Sequence, residues 1–173
     1  MVHYDASSCN GCDIEVLACL TPMYDVERFG IINTGNPKHA DIFLVTGSVN
    51  ERNIKVVQQI YEQMIEPKVV IACGICATTG GIFKECYNTL GGIDVAIPVD
   101  VYAPGCAIRP EAIIDAVVTG LGILEEKRAK LAEKKDLSVK LREDVTAADK
   151  VVDGTTIGEA ARLEALGSER IHD

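Results

Sequence analysis

PKVVIACGIC, residues 67–76, joins an unbroken apolar run to a glycine and a second cysteine. A strand with one wet face alternates apolar and polar residues, whereas Val69 to Cys73 are apolar without a break. Such a run reads as a strand covered on both faces, the condition of a parallel sheet flanked by helices. Upstream, from Asn50 to Ile65, the apolar residues Ile54, Val57, Tyr61 and Met64 recur at three- and four-residue steps, which predicts an amphipathic helix. Before it, DIFLVTG (41–47) and FGIIN (29–33) read as strands, and AIPVDVYA (96–103) as a fourth. CDIEVLACLT (12–21) is a short helix that ends before Pro22, because proline pushes its predecessor out of the α region. Residues 1–10 read as irregular. A last helix starts near Pro110, with Ile113, Ile114, Val117 and Leu121 on one face.

Strands that alternate with helices imply right-handed crossovers and parallel pairing. The expected fold is therefore an α/β domain over residues 1–124, a small doubly wound parallel sheet of about four strands and flavodoxin-like kind. Ligands of such sheets lie outside the carboxyl ends of the strands. Cys76 follows the strand at 67–73, and Cys106 follows the one at 96–103, so both loops open on the same edge. Residues 125–173 form a polar C-terminal extension. It begins with the charge-rich EEKRAKLAEKK and contains TTIGEAARLEALG, where Thr156 and Glu159 have capping-box spacing and Gly167 is a stop.

Bulk composition narrows the function. With 26 acids against 17 basic residues the formal net charge is −9, which disfavours nucleic acid as a partner. Hydrophobic residues make up 47%, enough for a buried core. No signal-peptide pattern or membrane-length apolar run is present, so the expectation is a soluble, cytoplasmic chain that reaches a membrane only through other subunits. Seven cysteines, an odd number, in a reducing compartment argue for metal or redox chemistry over a disulfide framework.

Cys9 and Cys12 in SSCNGCDIE form a C-x-x-C pair, which by itself serves zinc, thiol exchange and iron–sulfur clusters alike. A thioredoxin-type pair would follow a strand, and none is evident before Cys9. A zinc site would pair Cys9 and Cys12 with Cys73 and Cys76, leaving Cys106 without a task. An iron–sulfur cluster uses four thiolates on separate loops, with close backbone around them, and glycines flank each candidate: Gly11, Gly74, Gly80 with Gly81, and Gly105. Cys9, Cys12, Cys76 and Cys106 are that set. Cys73 competes with Cys76 from three residues away, although a packed side chain is the default at the end of an apolar strand. Cys19 and Cys86 read as small buried hydrophobes.

Together SCNGCDIE, GICATTGGIF and PGCAIRPEAI resemble the three cluster-binding segments of the small subunit of group 4 energy-converting, membrane-bound nickel–iron hydrogenases, relatives of the complex I 20 kDa subunit. The likeness covers about residues 5–125 and includes LTPMYDVERFGI, GNPKHADIFLVTG and IPVDVYAPGC. It implies a flavodoxin-like fold and a single 4Fe–4S cluster on Cys9, Cys12, Cys76 and Cys106. That cluster would be proximal to a nickel–iron centre held by a partner large subunit. It also implies a ferredoxin-like iron–sulfur subunit and membrane subunits as partners, and no active site in this chain. The C-x-x-C spacing resembles hydrogenase small subunits, since complex I subunits have adjacent cysteines there. Ala107 and Ile108 stand where the family has two prolines, and Cys73 where it has an aliphatic residue.

Remaining polar residues have plainer readings beside functional ones. Asp13 and Glu15 invite a proton-transfer role, with Asp13 read as a helix cap and Glu15 balanced between the two. Arg109 and Glu111 are helix-start charges that can pair with a partner, and His39 suits a turn or interface better than a metal.

Overall fold

The computed structural model describes residues 1–148, so the TTIGEAARLEALG helix lies outside the described residues. The chain divides into two units, Met1–Arg128 and Ala129–Asp173. The elements in order are β1 (Val2–Asp5), α1 (Gly11–Cys19), β2 (Ile42–Thr46), β3 (Val49–Asn50), α2 (Ile54–Gln63), β4 (Val69–Cys73), α3 (Ile75–Thr79), β5 (Thr89–Gly91), β6 (Val101–Ala103) and α4 (Pro110–Ala148).

A four-stranded, all-parallel sheet has the order β1-β2-β4-β6, and β3 pairs β5 in a small antiparallel ribbon. Helices cover both faces, as a doubly wound sheet requires. On one face Val16 and Cys19 of α1 and Ile113 and Val117 of α4 pack over Ile42, Leu44, Val69 and Ile71. On the other, Val57 of α2 and Ala77 of α3 pack over Phe43, Val45, Val70 and Ala72. Neighbours along β2 and β4 thus feed opposite cores, which is why both strands read as continuous apolar runs. The fold is the flavodoxin-like α/β architecture expected from the alternation of elements.

The strand inventory differs from the sequence expectation at both ends. Residues 2–5, read as irregular, form β1. Four residues are too short to display a period, and their pairing with Phe43–Thr46 supplies what local pattern does not. FGIIN, read as a strand, is the end of a 3-10 helix (Val26–Phe29) and an irregular segment. It touches the sheet edge through two bonds, Met1 N to Ile32 O (2.6 Å) and Thr34 N to Met1 O (2.9 Å). The fourth strand is only Val101–Ala103, since Pro98 cannot donate to a ladder and Ile93–Val95 is a 3-10 turn. The helix at 50–65 starts at Ile54 because Asn50 joins β3 and its Oδ1 accepts the Arg52 and Asn53 N–H groups at 3.0 and 2.9 Å.

Register aligns the strand ends. Asp5 lies opposite Thr46, Thr46 opposite Cys73, and Cys73 opposite Ala103, so the four carboxyl ends form one level row. At the opposite end, Asp100 extends the β4–β6 pairing: its N–H donates to Val70 O (3.0 Å) and its Oδ2 accepts Val70 N–H (2.9 Å). Lys127 Nζ holds the other carboxylate oxygen at 2.7 Å. Asp100→Ala leaves the buried Val70 amide unpaired and is expected to cost about 1–3 kcal/mol. In urea this is a lower midpoint at unchanged slope.

Candidate metal centre

Three of the four aligned strand ends lead into cysteine-bearing loops. After β1, residues 6–10 carry Cys9 to the start of α1, where Cys12 occupies the first turn. After β4, Gly74 turns the chain into α3, which carries Cys76. After β6, Pro104–Arg109 carry Cys106 to α4. Cys9 and Cys106 are exposed, and Cys12 and Cys76 are half-buried. The second and third loops are clamped together by Gly74 N donating to Ala103 O (2.8 Å) and Ile75 N to Gly105 O (2.9 Å). The first loop is pressed against the second. A Cβ at Gly74 would lie 2.5 Å from Cys12 Sγ, so only glycine, at φ +87°, allows that approach. Gly81 lies under Cys76 Sγ and Gly11 beside Cys9 Sγ, with ideal Cβ positions 3.2 and 3.4 Å away.

Electrostatic coupling separates the two rival thiols. Burial pushes the Cys76 thiol pKa up, and Cys106, Cys9 and Cys12 push it further. Burial also raises Cys12, the Ile108 backbone N–H opposes this by donating to its sulfur, and Cys9, Asp13 and Cys106 add to the rise. Cys73 is different. Fully buried at the end of β4, it is pushed up to about 12 by burial and then by Cys12 and Cys19, with no coupling to Cys9 or Cys106. Cys76 thus lies within electrostatic reach of Cys106, Cys9 and Cys12, whereas Cys73 is buried in the core beside Cys12 and Cys19.

Among the described residues no three His, Cys, Asp or Glu side chains gather as a single metal ion requires. A zinc ion needs its sulfurs at about 2.3 Å from one centre. Four candidate thiols drawn from three loops are a donor set of the kind a multi-iron core bridged by its own sulfides takes, with backbone N–H groups such as that of Ile108 placed to donate. Because the Cys12 and Cys76 pKa values lie above the ordinary thiol value, both are protonated at neutral pH, and ligation must expel their protons. Insertion of iron and sulfide into the metal-free chain is expected to accelerate several-fold between about pH 7 and 9. The initial rise of visible absorbance measures it, and a flat profile would contradict the raised thiols.

Other sequence readings fare unevenly. Cys19 is buried as expected, its thiol directed at Glu15 O and Pro110 O, and burial raises it to about 11. Cys86 is exposed, not buried, because the segment after the 3-10 turn Gly81–Phe83 is an outward loop without a covering element. Asp13 is in the first turn of α1 as expected, but its carboxylate takes the Ser8 and Thr46 hydroxyls rather than capping backbone N–H groups. His39 closes a 3-10 turn, Pro37–His39. Glu111 accepts from Tyr24 Oη at 3.0 Å. Sequence reasoning missed His3 and Thr46 altogether, since nothing local marks partners that meet only across β1 and β2.

Residues 9–119 match the family described as NADH ubiquinone oxidoreductase, 20 kDa subunit. The chain belongs to this family. Cys9, Cys12, Cys76 and Cys106 all fall within the matched residues, and the family's members are iron–sulfur proteins. A probable membrane-bound hydrogenase subunit of Pyrococcus furiosus is 52% identical to this 20 kDa-subunit family protein over 129 residues, 75% of each chain. Formate hydrogenlyase subunit 7 of Escherichia coli is 43% identical over 71% of this chain, which spans about half of that protein (48%). Among solved structures, a chain of the membrane-bound sulfane sulfur reductase, an archaeal respiratory membrane complex, superposes with a TM-score of 0.65. It is 32% identical, covering 89% of this chain and 86% of that one. Like its relatives, this 20 kDa-subunit protein is a subunit of an oxidoreductase complex. Among its described residues no helix is long and apolar enough to cross a membrane.

Proposed function

We propose that this chain carries one 4Fe–4S cluster on Cys9, Cys12, Cys76 and Cys106. Through it the chain would pass electrons between a ferredoxin-like iron–sulfur subunit and the nickel–iron centre of a hydrogenase large subunit. The complex is held at the cytoplasmic side of the membrane by its membrane subunits, with this chain peripheral. Residues 1–124 form the cluster-binding domain and 125–173 an extension.

The observation that carries this reading is the convergence of three cysteine loops on one level edge of the sheet. The C-x-x-C form of the first pair, as in hydrogenase small subunits, supports the choice of partner. When bound, such a cluster accepts and returns one electron. The protein's own residues hold it by four thiolates, and the Ile108 N–H donates to Cys12 Sγ, stabilising negative charge there. Buried Ile108, Cys73 and Val16 keep water from the inner side. Exposed Cys9 and Cys106 face outward, the side on which a partner redox centre must dock.

A second reading is favoured by the likeness to the sulfane sulfur reductase chain, which extends over 89% of this one. In it the same relay serves a large subunit acting on sulfane sulfur. A complex I-type relay to quinone differs likewise in the partner alone, and a zinc-stabilised module differs in the metal. The test is metal analysis of the anaerobically purified complex with low-temperature EPR after dithionite reduction. About four irons per copy of this chain beyond those of the ferredoxin-like subunit and the nickel–iron centre, with nickel in the large subunit, support the hydrogenase relay. Iron without nickel moves the assignment to a nickel-free reductase, and zinc without iron overturns the cluster.

A further inference from the structure

Asp13 directly follows Cys12, and its carboxylate is the centre of a polar knot. One oxygen accepts the Ser8 hydroxyl. The other accepts the Thr46 hydroxyl at 2.6 Å and lies 3.0 Å from His3 Nε2, which is itself 3.1 Å from Thr46 Oγ1. The knot is largely enclosed, with the His3 and Asp13 side chains 17% and 14% exposed. Ser8 is also tied by its own N–H to Asp5 Oδ1 (2.6 Å), and its hydroxyl oxygen accepts from Asn10 N (2.9 Å).

Two consequences follow from this geometry. The Ser8–Asp13 bridge closes a short loop that contains both Cys9 and Cys12, and Thr46 and His3 moor that loop to β2 and β1. The loop needs mooring, because Ser7 and Asn10 on either side of Ser8 and Cys9 sit at φ 69° and 65°. A left-handed conformation is disfavoured for any non-glycine residue. The second consequence is electrostatic. Burial lowers the His3 pKa below its ordinary value, against the pull of Asp13 and Asp5, which weakens the ring as a counter-charge to the carboxylate.

We propose that Asp13 is a positioning residue for the cluster: its ties to Ser8, Thr46 and His3 set the spacing of Cys9 and Cys12, and its carboxylate beside Cys12 lowers the reduction potential. The inference rests on the cluster reading above. A fixed negative charge near the cluster opposes the incoming electron, so removing it eases reduction.

The experiment is an EPR-monitored redox titration of the anaerobically purified complex carrying Asp13→Asn, with Asp13→Ala and Thr46→Val alongside. Asp13→Asn keeps size and one acceptor but no charge. It is expected to retain wild-type iron and raise the midpoint by about 59 mV, a tenfold change for one electron. Asp13→Ala unties the loop as well, broadening the EPR signal and shortening the cluster's lifetime against a chelator about tenfold. Thr46→Val keeps volume and charge, and is expected to shorten that lifetime several-fold at unchanged midpoint. Wild-type midpoint, line shape and lifetime in Asp13→Asn and Asp13→Ala, with only thermal stability reduced, overturn the proposal and leave Asp13 a fold-stabilising residue. An iron-free wild type is a different failure, since it overturns the cluster reading itself and this inference with it.

Discussion

Cys76→Ser is expected to strip the chain of its iron, from about four atoms to fewer than one, while Cys73→Ala keeps the full complement. Three residues separate the two thiols, so the contrast is a direct test of which one faces the other ligands. Cys76 is half-buried in α3 and coupled to Cys106, Cys9 and Cys12. Cys73 is the last residue of β4, is fully enclosed, and has Val16, Ile71 and Ala103 in its core cluster. A thiolate there would be desolvated with no cation to offset it, which is what a pKa of about 12 expresses. Cys73→Ala therefore removes one buried sulfur, at about 1 kcal/mol or somewhat more, and leaves the ligand set alone. Iron content and reduced-state EPR on both variants decide the matter. The opposite pattern, with iron lost from Cys73→Ala and kept by Cys76→Ser, would move the ligand into the core.

Gly74→Ala carries the second largest expected effect: at least a tenfold loss of cluster occupancy, together with about 1–3 kcal/mol of stability. Two causes combine at this residue. Its φ of +87° disfavours any side chain, and the new Cβ would meet Cys12 Sγ at 2.5 Å with Gly105 O behind it at 3.5 Å. The methyl group has to push aside the Cys12 thiol, the neighbouring loop, or both. Gly30→Ala isolates the first cause. Gly30 has a similar φ, +83°, with nothing within 4 Å of an added Cβ, so it reports backbone strain without crowding. It is expected to lose some stability and no iron. Equal iron retention in both variants would mean that the contact between the first two cysteine loops does not matter for the cluster.

The hydrophobic pattern was sufficient wherever a segment's own neighbours decide its environment. Val69–Cys73 and Ile42–Val45 are apolar at every position because alternate residues feed two different cores, and that condition is written in the string itself. Three separated cysteine motifs, each next to glycine, likewise mark a multi-loop centre without coordinates. The pattern did not suffice at the edges of the sheet. Val2–Asp5 is a strand because Phe43–Thr46 lies beside it, whereas 29–33, more β-branched and aromatic, lacks a full ladder and stays irregular. Edge pairing is a long-range choice, and local composition does not determine it.

The ligand region divides along the same line. Which residues are thiols, and that Cys76 and Cys106 follow the carboxyl ends of strands, was determined by the order of amino acids. That the cysteine loops start from one level row, Asp5, Thr46, Cys73 and Ala103, was decided by strand register. So was the inward turn of Cys73 and the outward turn of Cys76, since β4 is covered on both faces at its last residue while α3 opens on the edge. Asp13 shows the limit most clearly. In sequence it is a first-turn acid. In the folded chain it joins Ser8, Thr46 and His3, residues up to 33 positions away, because parallel pairing of β1 and β2 brings their side chains beside the first turn of α1.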